Sequence, residues 1–110
     1  ADAVLHLGPE AEALGTVGLR CPDHDLVRSL AAEVGPLATT SANRSGEPSP
    51  PTAAEAAAVL GGDLLALDGG PCDGTPSTVV DLTVFPAVVL REGALDAAAL
   101  STAGLDVAPR

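Results

Sequence analysis

Residues 36–61 read PLATTSANRSGEPSPPTAAEAAAVLG, and three kinds of local structure follow one another inside this stretch. Pro36 to Thr40 is a short run with strand character. Ser41 to Pro51 is built from Ser, Asn, Gly and Pro, the residues that form turns through side-chain bonding to the backbone, positive φ or a fixed φ. Thr52 then stands where a helix cap is needed, ahead of an alanine-rich segment that runs to Leu60, and Gly61-Gly62 supplies the stop. A strand that delivers the chain through a long polar loop into a capped helix is the repeating step of an α/β layer structure.

Working outward from that stretch, the same alternation continues in both directions. On the N-terminal side, Thr16-Val17-Gly18-Leu19-Arg20 is predicted as a strand closed by Pro22, because proline cannot continue a ladder. Asp23 is expected to cap a helix from about residue 24 to Val34, with Leu26, Val27, Leu30 and Ala31 at helical spacing, and Gly35-Pro36 ends it. Ala3 to Leu7 reads as a strand or its tail. On the C-terminal side, Leu64 to Leu67 is predicted as a strand, followed by a Gly/Pro loop from Asp68 to Pro76. Ser77 to Leu82 and Ala87 to Leu90 are β-branched runs, expected to be adjacent strands joined by a turn at Phe85-Pro86, and Asp96 begins a final short helix.

Composition narrows the function. In 110 residues, 46% are hydrophobic but only Phe85 is aromatic, so any core is made of Ala, Val and Leu and there is no aromatic platform on which nucleobases would stack. The basic residues are five arginines, Arg20, Arg28, Arg44, Arg91 and Arg110, against 15 acidic residues, for a formal charge of -10. Phosphate-backbone binding needs clustered cations, which argues against direct RNA or DNA binding by this segment. A polyanionic ligand would need a few placed arginines, backbone N–H groups, a metal ion, or residues outside the chain. Cys21 and Cys72 lie far apart and outside any Cys-x-x-Cys pair, which fits a reducing compartment. No apolar run reaches the ~20 residues of a membrane span, and no signal-peptide pattern is present, so a cytoplasmic location is expected. The missing initial methionine and the apolar opening point to a fragment whose N-terminal part is absent.

The loop that begins Thr39-Thr40-Ser41-Ala42-Asn43 is the first candidate for chemistry, because hydroxyls and an amide there can grip phosphate oxygens, and it is long for a plain connection. The competing reading is a turn in which Ser and Asn bond their own backbone. Both fit the residues alone.

Thr40-Ser41-Ala42-Asn43 followed by Ser45-Gly46-Glu47-Pro48-Ser49-Pro50 resembles the YrdC/Sua5 family. Three further segments match in order: Gly15-Thr16-Val17-Gly18-Leu19-Arg20 with Pro22-Asp23-His24, then Pro76-Ser77-Thr78-Val79-Val80-Asp81, then Leu90-Arg91-Glu92-Gly93. The resemblance implies a threonylcarbamoyl-AMP synthase, which condenses L-threonine, bicarbonate and ATP into threonylcarbamoyl-AMP and pyrophosphate for t6A37 modification of tRNA. The tRNA itself is reached through a downstream transferase complex. ATP is then a substrate, with Mg2+ bound through the nucleotide and no protein metal site. The implied fold is a twisted open mixed sheet with helices packed on it, around a positive groove. Residues 1–110 would be the C-terminal part of a single YrdC-like domain.

By motif position, the resemblance places Ser41 and Asn43 at the reacting centre and on the ATP phosphates. Thr16, Ser49 and Arg91 join them at the nucleotide, while Arg20, Thr39 and Ser77 seat threonine. A guanidinium fork suits a carboxylate, which is the physical sense of the Arg20 role. The family's Lys-x-Arg motif and Thr-Asp-Thr-x-Tyr-Gly segment, features of its N-terminal half, do not occur in these residues. The catalytic set is therefore incomplete, and the isolated chain is expected to be inactive. Two relatives of the same fold stay open as alternatives: the YrdC-like domain of a hydrogenase-maturation carbamoyltransferase, and a non-catalytic RNA-binding or ribosome-maturation protein.

Other motifs fall away. Gly69 to Thr75 imitates the glycine spacing of a P-loop, but Thr75 stands in place of the lysine and Pro76 follows. Asn43-Arg44-Ser45 matches a glycosylation sequon without any sign of secretion. Cys21, His24, Cys72 and His6 lack the second compact pair that a zinc site needs. Ser41 with His24 lacks the Gly-x-Ser-x-Gly elbow of a serine hydrolase.

Overall fold

The computed structural model describes residues 13–109; the strand-like stretch from Ala3 to Leu7, His6 and Arg110 lie outside the described residues. Five elements follow in order: α1 (Asp25–Val34), α2 (Ala53–Leu60), β1 (Val79–Asp81), β2 (Val88–Arg91) and α3 (Ala97–Thr102). Together they make a small α/β structure. It divides into two units, one ending at Ala42 and the other beginning at Asn43.

In the first unit, α1 carries its apolar residues at helical spacing, and Gly35 ends it with φ 86, a conformation open to glycine. The helix starts one residue later than the sequence suggests. His24, in extended conformation, is the cap residue, and it makes no side-chain cap bond. Asp23 instead faces Arg28 at 3.4 Å, and Arg28 Nε donates to the Pro22 carbonyl at 2.8 Å. An aspartate one position too early cannot reach the N2 or N3 amide, so it serves as an ion-pair partner rather than as a cap.

In the second unit the helix ends follow the sequence closely. Thr52 accepts a hydrogen bond from the Glu55 amide at 3.2 Å, and Gly61 closes α2 with φ 68. The helix between is mostly alanine, the strongest helix former, which favours it along with the cap. Asp96 caps α3 by accepting from the Ala99 amide at 2.8 Å.

β1 and β2 pair antiparallel as a two-stranded sheet, in agreement with their β-branched sequences. The register is irregular. Asp81 faces Val88 and Val80 faces Val89, but Val79 faces Arg91, so Leu90 is an extra residue on β2 and the pair carries a bulge. The Phe85-Pro86 peptide in the connection is cis. Beyond the turn, Ala87 makes a parallel bridge to Val107, donating to the Asp106 carbonyl and accepting from the Ala108 amide, both at 2.8 Å.

The expected strands at Thr16–Arg20, 36–40 and 64–67 are not strands in the structure. Their sequences suit a pleated surface, but a strand exists only through a ladder, and among the described residues laddering is confined to β1, β2 and the Ala87 bridge. Core formation is similarly limited. Among the described residues Ala87 alone is buried, at 4% exposure, while Leu65 is 92% and Leu19 80% exposed. No helix among the described residues is long and apolar enough to cross a membrane.

Candidate functional site

The first unit carries Thr16, Arg20, Thr39 and Ser41. Thr16 and Arg20 lie in the irregular segment that follows Gly15, which has a φ of 65. Thr39 and Ser41 lie in the irregular segment after α1 and Gly35. All four side chains are exposed. An arginine and three hydroxyls on solvated backbone are accessible to a ligand, and the arginine is free to extend toward an anion.

The second unit carries Asn43, Ser49, Ser77 and Arg91, and the structure joins them in two pairs. Asn43 Nδ2 donates to the carbonyls of Arg44 and Glu47, each at 2.9 Å, while its Oδ1 accepts from Ser49 Oγ at 3.3 Å. Both donors of the amide are thus turned inward on the loop. The Glu47 amide also donates to the Arg44 carbonyl at 3.0 Å, which makes residues 43–49 a closed polar turn. The bonds are those of the turn-forming reading, with Asn43 bonding its own loop. Arg44 leaves the turn to donate from Nε to the Val59 carbonyl at 3.1 Å, one of the open carbonyls in the last turn of α2.

The second pair joins Arg91 and Ser77. Arg91 Nε and Nη2 both donate to the Ser77 carbonyl, at 3.2 and 2.9 Å. The bulge at Leu90 places Arg91 opposite Val79, and from that register its side chain folds back across the start of β1. One edge of the guanidinium is occupied by a carbonyl. The Nη1 side of the fork is not used in either of these bonds.

Two aspartates flank Ser77 in sequence. The Asp73 carboxyl is held below its ordinary value of 3.8 by the Thr75 backbone amide, which donates at 2.8 Å, with the Thr75 hydroxyl adding to it. The Asp81 carboxyl is lowered first by the Thr83 hydroxyl at 2.6 Å and then by the Thr83 amide at 2.8 Å. Each hydrogen bond favours the charged form. These carboxylates therefore act as turn anchors. Among the described residues no three His, Cys, Asp or Glu side chains gather to hold a metal ion.

Thr78 and Gly93 stand in the matched segments, but the sequence assigns neither a role. Thr78 Oγ1 accepts from the amides of Gly93 and Leu95, at 2.9 and 3.1 Å, and donates to the Leu95 carbonyl. A threonine next to a serine in a β-branched run carries no signal of such a role. Its partners lie across the hairpin and are set by the fold.

The chain is thus an α/β structure with a polar Ser-x-Asn turn and an arginine at the end of a bulged strand. A family model described as "Telomere recombination", covering the Sua5, YciO and YrdC proteins, matches residues 5–93, and the chain belongs to this YrdC/Sua5 family. A putative threonylcarbamoyl-AMP synthase of Mycobacterium tuberculosis is 46% identical over 84 residues, which cover 74% of this chain and 39% of that protein. The threonylcarbamoyl-AMP synthase of Bacillus subtilis is 43% identical over 81% of this chain and 27% of its own length. That of Pyrococcus abyssi is 41% identical over 74% of this chain and 25% of its own length. The chain thus spans well under half the length of these curated relatives. No solved structure gives a significant match.

Proposed function

We propose that the chain is the C-terminal part of the YrdC-like domain of a threonylcarbamoyl-AMP synthase, a nucleotidyltransferase of t6A37 biosynthesis. The single observation that carries this reading is the sharing of one synthase name by relatives from bacteria and an archaeon, each above 40% identity to this chain. In this reading β1 and β2 belong to a wider twisted, mixed sheet, and the N-terminal half of the domain completes the groove and supplies further cations. The isolated chain is then inactive.

The reaction proceeds in two balanced steps. The threonine amine adds to bicarbonate with loss of water to give a carbamate. A carbamate oxygen then forms a bond to the α-phosphorus of ATP, the bond to the bridging oxygen breaks, and pyrophosphate leaves. The chain's contribution is binding and orientation. Arg20 faces the threonine carboxylate, with Thr39 and Ser77 seating the amino acid. Thr16, Ser41, Ser49 and Arg91 face the nucleotide, and the Nη1 edge of Arg91 meets the phosphates. Asn43 joins Ser41 at the reacting centre, where its Nδ2 hydrogens, exchanged from the Arg44 and Glu47 carbonyls, meet charge as it develops on the phosphate oxygens. Mg2+ enters as the ATP complex, neutralising phosphate charge. The product passes to a downstream transferase complex that acts on tRNA.

The test is threonine- and bicarbonate-dependent pyrophosphate release from ATP by the full-length protein that contains these residues, with the adenylate identified by mass spectrometry. Release that requires threonine supports the reading. Release that requires carbamoyl phosphate and ignores threonine assigns the chain to the hydrogenase-maturation branch, and RNA retention without ATP turnover assigns it to the RNA-binding one.

A further inference from the structure

We propose that Thr78 is a positioning residue that aims the Arg91 guanidinium at the nucleotide, acting through the Ser77 carbonyl. The proposal rests on the reading above that Arg91 meets ATP. Thr78 has one hydroxyl donor and two acceptor positions, and all three are used on the segment that follows β2: Gly93 N–H, Leu95 N–H and Leu95 C=O. The Ala94 amide adds a bond to the Pro76 carbonyl at 3.0 Å. Residues 76–78 and 93–95 are thereby stitched together by four hydrogen bonds.

The approach is close enough to demand glycine. A Cβ on Gly93 would lie 2.1 Å from the Pro76 oxygen and 2.6 Å from the Ser77 carbonyl carbon. Ser77 therefore has its peptide pressed between Thr78 on one side and Gly93 on the other, and its carbonyl direction is fixed. That carbonyl is the acceptor for both Arg91 Nε and Nη2. Removing the Thr78 hydroxyl loosens the clasp, the Ser77 carbonyl swings, and the fork loses its fixed edge. Arg91 then reaches the ligand only after ordering a long side chain, which weakens nucleotide binding.

The test uses Thr78→Val, which removes the hydroxyl at near-constant shape, and Thr78→Ser, which keeps it. With only five arginines in the chain, the Nε–H resonance of Arg91 can be assigned by NMR. In the wild type it is expected to be shifted and slow to exchange. In Thr78→Val it should merge with the solvated arginines, and ATP should bind roughly tenfold more weakly. Thr78→Ser should restore both signals. An unchanged Arg91 Nε–H resonance in Thr78→Val overturns the proposal, as does an unchanged ATP affinity. If Thr78→Val does not fold, Thr78→Ser decides, since loss of the resonance or of ATP affinity there is incompatible with a hydroxyl clasp. A wild-type chain whose Arg91 resonance is fixed but which binds no ATP, even as part of the full-length protein, instead removes the nucleotide reading.

Discussion

Ser49 donates its hydroxyl hydrogen to Oδ1 of Asn43 across 3.3 Å, closing a loop in which the same asparagine amide makes two further side-chain bonds. One side chain therefore holds residues 43–49 in a single shape. Asn43→Ala removes all three bonds. Net values for such exposed bonds lie near 1 kcal/mol each at most, so a loss of about 1–2 kcal/mol of local stability is expected. Hydrogen exchange at the Glu47 amide, which bonds Arg44 at 3.0 Å, reports it directly. Asn43→Asp should be at least as harmful, because it sets a carboxylate oxygen against the Arg44 and Glu47 carbonyls.

The Thr52 cap gives a second prediction. Thr52→Ala leaves the Glu55 amide without its acceptor and should cost about 1 kcal/mol, whereas Thr52→Ser should be nearly neutral. The urea midpoint of the helical circular dichroism signal distinguishes the two.

Acid should act at Asp81 and Asp73 in a defined direction. Both folded carboxyls titrate below 3.8, so their turn bonds contribute fully above that pH. The contribution fades as pH falls from 3.8 through the lower folded values, where the carboxylates protonate. Protection of the Thr83 and Thr75 amides should be lost over that acid window and be constant through neutral pH. In Asp81→Asn the Thr83 dependence should vanish while that of Thr75 persists.

Glycine positions separate steric from conformational demands. Gly93→Ala forces a methyl group into the Pro76 carbonyl at 2.1 Å and should cost about 1–3 kcal/mol, with the Ala94 and Leu95 amides losing protection. Gly74→Ala meets no atom within 4 Å, but its φ of 81 should still cost about 1 kcal/mol. Paired urea titrations with the Gly93 loss no greater than the Gly74 loss would contradict the close approach.

What the sequence could disclose depended on how local each cause was. Thr52, Asp96, Gly35 and Gly61 act within one turn of their own position, and the structure has them as cap and stop residues. Asp23 missed by one residue, since a cap is decided by which side chain reaches an amide and not by residue type alone. The β-branched runs at 79–81 and 88–91 pair as expected, but the bulge at Leu90 depends on the partner strand and left no mark in the pattern. Thr16–Arg20, 36–40 and 64–67 have strand-like residues and no ladder among those described, because propensity names a suitable surface without providing its neighbour. The Ser-x-Asn turn was readable as a motif. The bonds that tie Asn43 to its own loop, Arg91 to Ser77 and Thr78 to Leu95 were not, as each joins groups by three-dimensional placement.

Ala87, the one buried residue described, owes both of its bridging hydrogen bonds to Asp106 and Ala108. Cleavage of the backbone at Val107 would therefore strip the sheet of its sideways anchor, and a cut there would register about twenty residues away in the chain, beside the hairpin.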